Sequence, residues 1–121
     1  MERERFEALV DEALADIPKR FKDLLKNVAV MVEARPPRGR HLLGLYHGVP
    51  FKYRGPEYGN VAPDVIVIYQ WPIERMCRND DEVREEVKMT VLHEIGHYFG
   101  LDEPTLREIE AEMRKKQGNG E

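Results

Sequence analysis

The stretch Met89-Thr90-Val91-Leu92-His93-Glu94-Ile95-Gly96-His97-Tyr98-Phe99-Gly100 decides how this 121-residue chain is read. Nearly every position from Met89 onward is apolar, which predicts a helix enclosed by protein. His93, Glu94 and His97 alone interrupt it with strong polarity. Burying two imidazoles and a carboxylate without partners costs several kcal/mol. A bound cation is the simplest compensation. His93 and His97 are four apart and so share one helix face, about 5–6 Å apart at Cβ. Both rings can therefore converge on one ion at roughly 2.0–2.1 Å, as zinc prefers. Glu94 is turned by about 100° from His93, poorly placed as a third ligand but able to take a proton from a water on the metal.

Working outward, the helix is expected over residues 80–99. Asn79 is its cap, Glu82 sits three residues on, Asp80 and Asp81 favour its positive end, and Gly100 stops it. Its first half is amphipathic. A last helix opens near Pro104, with Leu106, Ile109 and Met113 on one side and Arg114, Lys115 and Lys116 near its negative end. Residues 117–121 read as a frayed tail.

Upstream, Phe6, Leu9, Val10, Ala13, Leu14 and Ile17 recur at helical spacing and predict a helix over 2–16, ended by Pro18. A short turn around Phe21 follows. Val28 to Val32 is a continuous apolar run, expected to be a strand buried on both faces. Leu42 to Tyr46 reads as a second strand, and Val65 to Tyr69, almost all β-branched, as the strongest. Residues 36–40 and 52–64 are expected loops, being rich in Gly and Pro. Pro72 suggests that Ile73 to Cys77 form a separate edge segment. The order helix, strands, helix, helix indicates an α+β fold. One domain over 1–116 is expected, with 117–121 as tail.

Composition narrows the chemistry. The chain has no serine, which removes every seryl nucleophile. Nineteen Lys and Arg stand against 23 Asp and Glu, a net charge of −4 with no basic excess for nucleic acid. One cysteine excludes an intramolecular disulfide and an all-thiolate metal site, and fits a reducing, cytoplasmic setting. No apolar run reaches membrane-spanning length.

His93-Glu94-x-x-His97 resembles the arrangement of zinc peptidases. With Gly100 and the residues after it, the sequence is similar to the metzincin spacing His-Glu-x-x-His-x-x-Gly-x-x-ligand. That likeness puts Glu103 at the third-ligand position, where the superfamily usually has His or Asp. Asp102 is an alternative ligand, although just ahead of Pro104 it could instead cap the final helix. Cys77 is another, because deformylases pair a cysteine with the same motif. Met113 lies on a helical stripe and reads as core rather than as the methionine turn of full metzincins.

The closer resemblance is to the small bacterial zincin-like metallopeptidase family. It rests on the amphipathic first helix, the segment Leu42-Leu43-Gly44-Leu45-Tyr46-His47-Gly48-Val49-Pro50, the segment Pro72-Ile73-Glu74-Arg75-Met76-Cys77, and above all His93 to Glu103. The resemblance implies a minimal zincin-like fold: a small mixed β-sheet against an active-site helix, flanked by N- and C-terminal helices. It also implies a Zn2+-dependent peptidase. His93, His97 and Glu103 would be the metal ligands and Glu94 the general base, with a peptide or protein substrate held in extended form by an edge strand. Two other readings stay open: a metal- or peptide-binding module with little turnover, and a metal-dependent hydrolase of another substrate. His41 and His47 read as surface residues, Trp71 as packing, and Tyr98 as cleft wall or oxyanion donor.

Overall fold

The computed structural model describes residues 1–25, 27–50, 53 and 63–119. Helix α1 (Arg3–Ala15) buries Phe6, Leu9, Val10 and Ala13, the 3.6-residue stripe expected of it. After Pro18 comes the short α2 (Lys19–Lys22). Three strands follow, β1 (Val28–Glu33), β2 (Gly44–His47) and β3 (Asp64–Tyr69). They form one mixed sheet in the order β1-β3-β2, with β1 parallel and β2 antiparallel to β3.

β3 is central, and its β-branched residues Ile66 and Ile68 are fully buried against the helices. β1 differs from expectation. Only Val32 of this strand is buried and Met31 is 47% exposed, because β1 is an edge strand covered on one face. Arg3 reaches across to donate to the Val32 carbonyl, covering one main-chain acceptor of that edge. The expected loop at 52–64 lies mostly outside the described residues.

The segment after β3 is a second correction. Residues Gln70–Arg75 form α3 rather than an edge strand. Pro72 falls in the first turn of α3, where a missing N–H costs nothing because no intrahelical acceptor exists for it. Ile73 is fully buried, while Trp71 stays 42% exposed with the Arg35 and Arg75 guanidinium groups 4.7 and 4.5 Å from its ring.

Helix α4 (Asp80–Phe99) begins as the sequence requires. The Asn79 side chain accepts from the Glu82 N–H at 2.9 Å, and Glu82 reaches back to the Arg78 N–H at 3.0 Å. The ion pairs Arg5–Asp80, Glu12–Arg84 and Asp16–Lys88 join its polar half to α1. At the other end Gly100 takes a left-handed φ of 78°. Its N–H bonds the His97 carbonyl and the Leu101 N–H bonds that of Gly96. The chain then turns back as α5 (Glu103–Asn119), which continues through Gln117 where the sequence suggests a frayed tail.

α5 can lie close to α4 because Gly96 has no side chain. A Cβ at position 96 would fall 1.9 Å from Leu106 Cδ2, and Leu106 is itself almost fully buried. Gly96→Ala gains about 1 kcal/mol of helix propensity, yet the forced separation of α5 costs more. We expect a net loss of about 1–3 kcal/mol, read by urea denaturation. An unchanged or raised midpoint contradicts this contact.

Candidate metal centre

The second half of α4 carries His93, Glu94 and His97 into the space between β2 and α5. One donor atom from each lies within 4.8 Å of the others. The two imidazoles are half-exposed and stand edge to face, ring centroids 4.6 Å apart. Glu94 is buried, turned toward the sheet, and its carboxylate accepts the backbone N–H of Tyr46 in β2.

Glu103 is the first residue of α5, and its Oε1 lies 3.7 Å from both His93 Nε2 and His97 Nε2. Ligand atoms held tetrahedrally at about 2.0–2.1 Å from zinc stand about 3.3–3.4 Å apart. Each imidazole nitrogen therefore stands near the spacing from this carboxylate oxygen that such an ion needs. Asp102, the alternative, accepts the Thr105 N–H at 2.9 Å and so serves as a helix cap. Cys77 follows α3 and packs partly against the core; among the described residues the tight donor group is His93, Glu94 and His97, which includes neither Cys77 nor Glu103.

Tyr98 differs from its sequence reading. It is fully buried, edge-on to Tyr46 and Phe99, and lines neither of the cavities at the site. His41 does line one of them, and His47 is exposed at the end of β2. One residue escaped the sequence reading altogether. Glu110 on α5 places Oε1 2.7 Å from His93 Nδ1. Its only sequence signal is its position seven residues after Glu103, two helical turns away on the same face.

Burial pushes the Glu94 carboxyl up from its ordinary 4.5 to about 7, with Glu103 adding to the rise while His93 and the Tyr46 N–H oppose it. Burial, then the neighbouring His93, lower the pKa of His97, while Glu103 and Glu110 oppose them. A lowered pKa favours the neutral ring that a metal needs.

A pH dependence follows for the metal-free chain. The folded Glu94 carboxyl holds its proton to higher pH than the unfolded one, so the stability it contributes falls as pH rises between about 4.5 and 7, while His97, with its lowered pKa, acts in the opposite sense. Urea denaturation in the presence of chelator should show wild-type stability falling relative to that of Glu94→Gln across this window. Identical slopes in the two proteins contradict it.

A family model described as zincin-like metallopeptidase matches residues 25–113. No curated protein matches the chain. The match spans all three strands, α3, α4 and most of α5, and includes every residue of the cluster. The α+β architecture, with its mixed three-stranded sheet beside α4, is that of a minimal zincin. With the donor cluster on α4 and the match to this family both in place, the chain belongs to the zincin-like metallopeptidases.

Proposed function

We propose that the protein is a zinc-dependent peptidase in which His93, His97 and Glu103 hold the ion and Glu94 acts as general base. The observation that carries this reading is a buried carboxylate beside two imidazoles whose Nε2 atoms share one Glu103 oxygen at 3.7 Å. When bound, the ion supplies Lewis-acid chemistry, polarising the scissile carbonyl and making water a stronger acid. Glu94 accepts the proton of the attacking water on its carboxylate and passes it to the leaving amine nitrogen. Its burial supports that role, since desolvation strengthens a carboxylate as a proton acceptor.

The substrate is a peptide or protein segment in extended form, laid along β2. Two features support this. Among the described residues, β2 pairs with β3 on one side only. Cavities of about 530 and 340 Å³ flank the cluster, sharing Leu42, Gly44, His93 and Glu94, and so leave room for side chains on either side of a bond held there. The larger one includes Leu45, Tyr46, Pro50 and Leu101, which favours an apolar side chain. Among the described residues no helix is long and apolar enough to cross a membrane. A cytoplasmic setting fits the single cysteine.

Purified Glu94→Gln should retain one zinc per chain while hydrolysis of a fluorogenic peptide library falls by about 100-fold or more. Glu103→Ala should lose most of the zinc. Hydrolysis by Glu94→Gln within a few-fold of wild type overturns the assignment of the base. Tight zinc with no turnover in wild type favours a binding module instead.

A further inference from the structure

Glu110 takes no part in the chemistry proposed above, yet it makes a short polar contact in the cluster, 2.7 Å from its Oε1 to His93 Nδ1. Both side chains are partly shielded from solvent, His93 at 31% and Glu110 at 17% exposure. A carboxylate only accepts, so the proton of this bond sits on Nδ1. That fixes the neutral tautomer of His93 and leaves the lone pair on Nε2, the atom 3.7 Å from Glu103. α5 thus approaches one imidazole at both nitrogens, with two carboxylates that share a helix face.

We propose that Glu110 is a positioning residue of the metal centre: it holds the His93 ring at one angle, in one tautomer, with its lone pair directed to the ion. A carboxylate on the far nitrogen also makes the ring a stronger donor to a cation. The proposal rests on the metallopeptidase reading. It differs from a merely structural role, in which the same contact would only dock α5 on α4. Docking alone would show as a loss of stability on substitution and would leave the affinity for zinc at its wild-type value.

The test uses the full chain and zinc alone as probe. Zinc affinity is measured at pH 8 by competition with a chromophoric chelator for wild type, Glu110→Gln, Glu110→Ala and, as a charge control, Glu112→Gln at an exposed position of α5. The His93 tautomer is read from imidazole ¹⁵N shifts in the metal-free proteins. Affinity should fall roughly 10–100-fold in both Glu110 variants and stay at the wild-type value in Glu112→Gln. His93 should be protonated on Nδ1 in wild type and shift toward Nε2 in Glu110→Ala. Both Glu110 variants binding zinc within about threefold of wild type, or an unaltered tautomer in Glu110→Ala, overturns the role of Glu110 alone. A wild-type protein that takes up no zinc overturns the metallopeptidase reading, and this proposal with it.

Discussion

The contact between Leu106 and the bare backbone of Gly96 sets how near α5 comes to α4, and the site follows from that distance. A glycine in a helix interior costs about 1 kcal/mol relative to alanine. Burying a leucine contributes about 1.5–3 kcal/mol, which offsets it. The turn between the helices is equally constrained, by the left-handed Gly100 and by the Asp102 cap on Thr105. Together these bring Glu103 and Glu110, two turns apart on α5, to opposite nitrogens of one ring.

Much of this was legible in the sequence because polarity that breaks an apolar run carries information. His93, Glu94 and His97 stand out for that reason, whereas Glu103 was singled out only by the resemblance to the metzincin spacing. The ends of α4 were legible too, since Asn79, Glu82 and Gly100 have local chemistry that needs no tertiary context. β3 declared itself through its β-branched residues.

What was not legible depended on partners distant in sequence. Val28 to Val32 reads as an apolar run whether its strand is central or at an edge, and only the pairing order β1-β3-β2 decides. Pro72 was read as breaking a strand, because a proline looks alike in a strand break and a first helical turn. Tyr98 shares the Glu94 side of α4, but one turn further on that side lies beneath Tyr46. Glu110 sits among Glu108 and Glu112 in a charged helix, and nothing distinguishes it until the phase of α5 against α4 is known.

The β2 edge has a kinetic implication. It is four residues long, and one of its four N–H groups, that of Tyr46, is already taken by Glu94. A segment laid against it gains few main-chain hydrogen bonds, each worth about 0.5–1.5 kcal/mol net. Such a grip is loose. On the proposed peptidase reading, residence time would be governed by whichever side chains fill the flanking cavities, and cleaved fragments, having lost half of those anchors, would depart readily.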